Sequence, residues 1–273
     1  MKRILTAIIA LPILLYTVWN DIPYFFVAVT AMAVLLGMHE FYSLADKSSS
    51  PPLRFAGYPA ALLVLASFVV DKPSLIVVSV VVLVMVSLAA FVFRPVDLRQ
   101  GLGSSSVTLF GVAYVALLAG FLIGVRMTPD SQTTTKIGAK LLTTFFAMVM
   151  MTDTGAYYTG RLLGRHKLAP KVSPGKTVEG SIGGFVTAVL AGLVCHLVFF
   201  PELPKTHALV LGGIIGIVSQ VGDLAESMLK RGAEVKDSGT IFPGHGGMLD
   251  RVDSILFCAP VLYYYSRIFY SVF

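Results

Sequence analysis

Long apolar runs alternate with short polar breaks along the chain, and nine of these runs are about as long as a membrane-spanning helix. They cover residues 4–19, 23–41, 55–70, 74–93, 106–125, 141–158, 181–200, 208–228 and 254–270. Roughly 20 apolar residues, rising 1.5 Å each, cross a hydrocarbon layer of about 30 Å. The uncharged windows 73–93 and 105–125 match this most clearly, and 55–70 is a short match. Backbone groups in hydrocarbon must pair within their own segment, so each run predicts a helix. The period-two alternation of a membrane barrel is absent. The pattern therefore predicts an all-α polytopic membrane protein with about nine transmembrane helices.

Composition agrees. Hydrophobic residues make up 56% of the chain, charged residues 13%, and mean hydropathy is +0.81, whereas soluble domains carry roughly 25% charged residues. Lys2 and Arg3 before an apolar run resemble the start of a signal peptide. No small-residue cleavage site follows in a polar setting, so the run reads as the first span. Cys195 and Cys258 lie inside apolar runs without metal-type spacing and read as small buried residues.

The net charge of +6 and pI near 9.3 would suit nucleic acid, but the basic residues gather in alternate loops. With a cytoplasmic N-terminus, fifteen of the 21 lysines and arginines fall on the inner side, as the positive-inside rule requires. No nucleic-acid partner is needed to explain them. The same orientation puts both large polar loops, 161–180 and 229–253, in the cytoplasm.

The chain divides by chemistry at about residue 125. Residues 1–125 are N-terminal transmembrane helices with little chemistry. Glu40 is their one candidate intramembrane acid, and both function and pairing at the interface stay open for it. Residues 126–273 form a C-terminal transmembrane catalytic region. Within it, the stretch 219–253 holds ten charged residues between apolar flanks. Ser219, Asp223, Glu226 and Lys230 follow at spacings of three or four, which places them on one helical face. A carboxylate on an apolar helix is costly unless it pairs or binds a cation. Asp250, Arg251 and Asp253 open the last helix; the helix dipole accounts for one such acid, but not for two with an arginine. The glycines around His245, including Gly246 and Gly247, let backbone N–H groups approach a phosphate closely. His245 itself suits phosphate binding, proton transfer or a plain loop position.

Loop 161–180 carries Gly175, Lys176 and Thr177, the end of a nucleotide P-loop pattern. Pro170 stands where that pattern needs its first glycine, and no strand–helix–strand context exists, so a P-loop is rejected. Its lysines still suit polyphosphate, with Ser173, Lys176 and Thr177 as donors, although a basic loop at anionic headgroups has the same composition. Just upstream, Asp153 lies inside the sixth run and extends the same group of acids from a third helix.

The spaced elements Asp153–Tyr157, Pro170–Gly180, Ser227–Arg231, Lys236–Gly239 and Pro243–Asp253 together resemble the phosphatidate cytidylyltransferases (CDP-diacylglycerol synthases). The likeness is dense in the C-terminal half; the first half shares only its membrane helices. It implies a Mg²⁺-dependent enzyme of the cytoplasmic (inner) membrane, with the active site facing the cytoplasm. Such an enzyme makes CDP-diacylglycerol and pyrophosphate from CTP and phosphatidate, works among membrane lipids and forms a homodimer. Carried over, Asp223 and Asp250 are the chief metal ligands, with Asp253 and Glu226 near them. Lys171, Lys176, Lys230, Arg231, Lys236 and Arg251 contact phosphates, and Asp237 and Glu179 belong to the same motifs.

Elementary chemistry is consistent with that set. A phosphate monoester is already largely anionic at neutral pH, its second pKa being about 6, so it needs no strong base to attack. Cations and basic side chains then offset charge on the leaving pyrophosphate. The absence of a Ser-His-Asp or Cys-His set fits this chemistry. Two alternatives stay open on the residues: a CTP-dependent polyprenol or dolichol kinase, and an ion-coupled transporter. The transporter is disfavoured because the charges gather in one half of the chain and no inverted repeat is visible.

Overall fold

The computed structural model describes residues 2–47, 50–93, 98–130, 135–239, 241 and 246–270. The chain separates into two compact units, Met1–Met127 with Gly232–Arg251, and Thr128–Arg231 with Val252–Phe273. The units divide between Met127 and Thr128, and the polar segment Gly232–Arg251 groups with the first unit.

In the first unit, α1 (Lys2–Trp19), α2 (Tyr24–Ala45), α3 (Arg54–Val69) and α4 (Ser74–Phe93) follow in order. Pro51 and Pro52 keep the α2–α3 connection out of helix, and an Arg54–Asp46 ion pair at 2.6 Å closes it. Then come α5 (Gly101–Gly111), a wider π-helical segment (Val112–Leu117) and α6 (Leu118–Arg126), one continuous helical stretch. The Tyr42 hydroxyl donates to the Thr108 carbonyl at 3.1 Å. The Thr108 hydroxyl accepts from Leu53 N at 2.8 Å and donates to Ser104 O at 2.6 Å. These bonds satisfy polar groups that have no water to turn to inside an apolar core. Phe41, Phe110 and Tyr114 pack around them with ring centroids 5.7–6.0 Å apart. By contrast, α4 turns Val77, Val78, Val81, Val82 and Met85 outward, as a lipid-facing helix does.

The second unit contains α7 (Ile137–Leu163), β1 (Lys167–Ala169), β2 (Ser173–Thr177), α8 (Val178–Val198), α9 (Lys205–Gly232) and α10 (Leu249–Tyr270), the last two extending into the first unit at one end. Its helices meet through small residues, the usual means of close packing where lipid is as apolar as the helices themselves. At Gly184 the α7 backbone leaves no room for a Cβ, and at Gly212 and Gly222 the neighbouring helix does the same. The Thr187 hydroxyl of α8 donates across to Met151 O of α7 at 2.7 Å.

Among the described residues, five helical stretches are long and apolar enough to cross a membrane: α2, α4, Gly101–Arg126, α8 and α9. α3, with 16 residues, is shorter. α7 and α10 have the length, at 27 and 22 residues, but carry charges along their course. The protein is therefore an all-α integral membrane protein apart from one hairpin. The count of about nine spans still rests on the sequence pattern. The hairpin itself is a finding: loop 161–180 includes β1 and β2, antiparallel, with Lys167 opposite Thr177 and Ala169 opposite Ser173. Strands of three and five residues are too short to show a periodicity.

Candidate active site

A cavity of about 480 Å³ opens within the second unit. One face of α7 supplies Asp153, Tyr157 and Arg161, spaced four apart so that all three point the same way. The hairpin supplies Ser173, Gly175, Lys176 and Thr177, and α9 supplies Gln220 and Asp223. The first turn of α8 completes the wall with Gly180 and Ser181. Thr177 caps α8, its hydroxyl accepting from Gly180 N at 3.1 Å. The N-terminus of a helix is the positive end of its dipole, so this wall favours an anion.

Charge on the cavity is balanced. The Lys176 ammonium lies 2.6 Å from Asp223 Oδ2, with both side chains about a quarter to a third exposed. Asp153 interacts electrostatically with both. Asp253, half-buried on α10, lies in the field of Asp223, Asp153 and Lys230, and its Oδ1 accepts from Ser254 N at 2.6 Å. Gln220 is fixed by donating to Gly216 O at 2.6 Å and Ser181 O at 3.1 Å.

The hairpin that carries Lys176 is held from α8. Oε2 of Glu179 accepts from Arg165 N at 3.0 Å and His166 N at 3.2 Å, and Oε1 lies 2.6 Å from His166 Nδ1. Lys167 Nζ adds a bond to Pro174 O at 2.8 Å. Glu179 thus serves the hairpin's base, while Lys171 is exposed on its turn. Arg231 Nε donates to Val172 O at 3.4 Å.

The polar stripe on α9 divides in two. Asp223 faces the cavity, while Glu226 is buried and pairs with Lys230 at 2.6 Å, one helical turn on. Ser219 is fully buried.

The remaining sequence-predicted residues lie in the first unit. Lys236, Asp237 and Arg251 are exposed. Asp250 Oδ2 accepts three hydrogen bonds, from Ser238 N and Ser238 Oγ at 2.9 Å and from Gly247 N at 2.7 Å. Gly246 packs against the same carboxylate and adopts φ +78°, a left-handed conformation that suits glycine. His245 lies outside the described residues. Arg161 and Gln220 are among the cavity residues not singled out from sequence. Their signal is spacing, eight residues after Asp153 and three before Asp223.

Mg²⁺ fits this donor set. Among the described residues no three His, Cys, Asp or Glu side chains gather into a ready-made cage. Mg²⁺ does not require one: it usually takes one or two carboxylates, keeps several waters and completes its shell with substrate phosphates. Asp153 from α7 and Asp223 from α9, both lining the cavity, are hard oxygen donors, and Asp223 already pairs with a cation, the Lys176 ammonium.

The cytidylyltransferase family's sequence profile matches residues 1–269. A protein of Brucella suis named phosphatidate cytidylyltransferase is 34% identical over 271 residues, 98% of this chain and 93% of its own length. A Bacillus subtilis protein of that name is 47% identical over 127 residues, 46% of this chain and 47% of its own. One from Staphylococcus haemolyticus is 44% identical over 156 residues, 56% of each chain. With a family match over residues 1–269 and a relative 34% identical over 98% of the chain, the chain belongs to the cytidylyltransferase family of nucleotidyl-transferring enzymes.

Proposed function

We propose that the protein transfers the cytidylyl group of CTP to phosphatidate, giving CDP-diacylglycerol and pyrophosphate. One observation carries the reading: Asp153, Lys176 and Asp223 line a single cavity in a chain of this family. A phosphate oxygen of phosphatidate attacks the α-phosphorus of CTP in line, and the bond to the β-phosphate oxygen breaks as pyrophosphate leaves. No proton has to be removed from the nucleophile, which is already an anion.

Two carboxylates facing a polyphosphate would repel it, at about 4 kcal/mol per unit-charge pair 4 Å apart under an effective dielectric constant of 20. A divalent cation between them reverses the sign. Asp153 and Asp223 would hold Mg²⁺, which offsets charge on the phosphates and the leaving pyrophosphate when bound. Lys176 from the hairpin and Arg161 from α7 orient the phosphates, and Ser173 supplies a hydroxyl donor. Glu179 keeps Lys176 in place through the hairpin. The metal-ligand roles of Asp250, Asp253 and Glu226 rest on the motif alone, as do the phosphate contacts of Lys171, Lys230, Arg231, Lys236 and Arg251. The Glu226–Lys230 pair supports a structural part for those two side chains.

The basic-residue bias supports placing this chemistry on the cytoplasmic side of the inner membrane, where CTP arrives from water and the lipid phosphate enters from the bilayer. The family resemblance supports a homodimer. Pyrophosphate release by purified protein tests the reading: it should require CTP, phosphatidate and Mg²⁺ together. Release of CDP with a polyprenol acceptor would give the kinase instead.

A further inference from the structure

Glu40 sits near the end of α2 with only 2% of its surface exposed. A carboxylate so placed is destabilising unless its oxygens are satisfied, and here they are, by groups some 200 residues away. Oε1 accepts from Met248 N at 2.9 Å, and Oε2 from Leu249 N at 2.8 Å and Ser238 Oγ at 3.0 Å. Met248 and Leu249 stand at the start of α10, where N–H groups have no partner inside the helix. Methionine cannot cap them; Glu40 does so from a different helix, and its negative charge also suits the dipole. Gly239 and Gly247 lie so close to the carboxylate that a Cβ at either would collide with it.

The same segment is held a second time from within. Asp250 Oδ2 takes the N–H groups of Ser238 and Gly247. The Ser238 hydroxyl therefore lies between two carboxylates, 3.0 Å from Glu40 and 2.9 Å from Asp250. With one proton to give, it donates to one of them at a time. Glu40 thus fixes three points, Ser238, Met248 and Leu249, of which Ser238 itself bonds the Asp250 carboxylate and Leu249 adjoins it in the chain.

We infer that Glu40 is a positioning residue for cytidylyl transfer, acting through Ser238 and the start of α10 to set the Asp250 carboxylate. The inference rests on the proposed function for its kinetic arm only. In Glu40→Gln the amide keeps the side chain's bulk but has one acceptor oxygen, so a backbone N–H now faces an NH₂ group.

Expected from Glu40→Gln is a fall of about 10- to 100-fold in kcat per folded molecule, with KM for CTP within about twofold of wild type. Amides 246–249 should exchange hydrogen faster while those of α8 stay protected. Ser238→Ala, which leaves the Glu40 backbone bonds in place, should lower kcat by less, about 3- to 10-fold, and carries the test if Glu40→Gln does not fold. A wild-type kcat in the folded variants, or a loss confined to the yield of folded protein, overturns the inference. So does unchanged exchange at 246–249, a readout that stands even if the wild-type protein transfers no cytidylyl group.

Discussion

The Lys176 ammonium and the Asp223 carboxylate meet at 2.6 Å, joining the hairpin to α9 across the wall of one cavity. Each group neutralises the other. On the proposed reading a divalent cation at Asp223 would take over that neutralising role and leave Lys176 to the phosphates. The pair would then link nucleotide binding to cation binding, and both halves of that link are measurable.

Asp223→Asn keeps the shape of the side chain and removes its charge. Turnover should fall at least about 100-fold, the scale on which one charge-stabilising group acts in a catalytic site, while the protein still inserts and elutes as wild type. Near-normal turnover would remove Asp223 from the cation site.

Lys176→Met should raise KM for CTP about tenfold, equivalent to about 1.4 kcal/mol. It should also lower the Mg²⁺ concentration needed for half-maximal rate, because the competing ammonium is gone. Titrating the variant with each in turn separates the two effects. If neither moves, the lysine serves only the loop.

Glu179 acts at one remove. Glu179→Gln weakens the bonds to Arg165 N and His166 N that hold the hairpin's base. KM for CTP should rise several-fold with kcat nearly kept, and amides 165–167 should exchange faster. A selective loss of kcat would instead place Glu179 against the reacting phosphates.

Glu226 is 1% exposed and pairs with Lys230, whose side chain is 14% exposed. Removing one partner of a buried pair leaves a charge uncompensated, at a cost of about 3–5 kcal/mol. Thermal unfolding in detergent should show Glu226→Ala clearly less stable than wild type, and Glu226→Ala with Lys230→Met substantially restored. Equal loss in both would mean that the pair is not what the helix depends on.

Much of this was legible before the coordinates. Apolar runs locate membrane helices because hydrocarbon allows little else, and acids such as Asp153 and Asp223 stand out in them because they are costly there. The hairpin was not legible, since strands of three and five residues leave no periodic trace. Nor was the π segment at Val112–Leu117, a shift in backbone bonding with no marker residue. The fourfold spacing of Asp153, Tyr157 and Arg161 was present in the chain, but it gains meaning only once α7 is known to run unbroken to Leu163. Glu40 is the clearest case: its partners are 198 to 209 residues away, and no local pattern encodes a contact at that separation.

The most direct measurement follows CTP labelled at its α-phosphate through purified protein with phosphatidate and Mg²⁺. Label should enter the lipid phase, stop when Mg²⁺ is chelated, and be nearly absent with Asp223→Asn. Label that stays in the aqueous phase under the same conditions would contradict cytidylyl transfer.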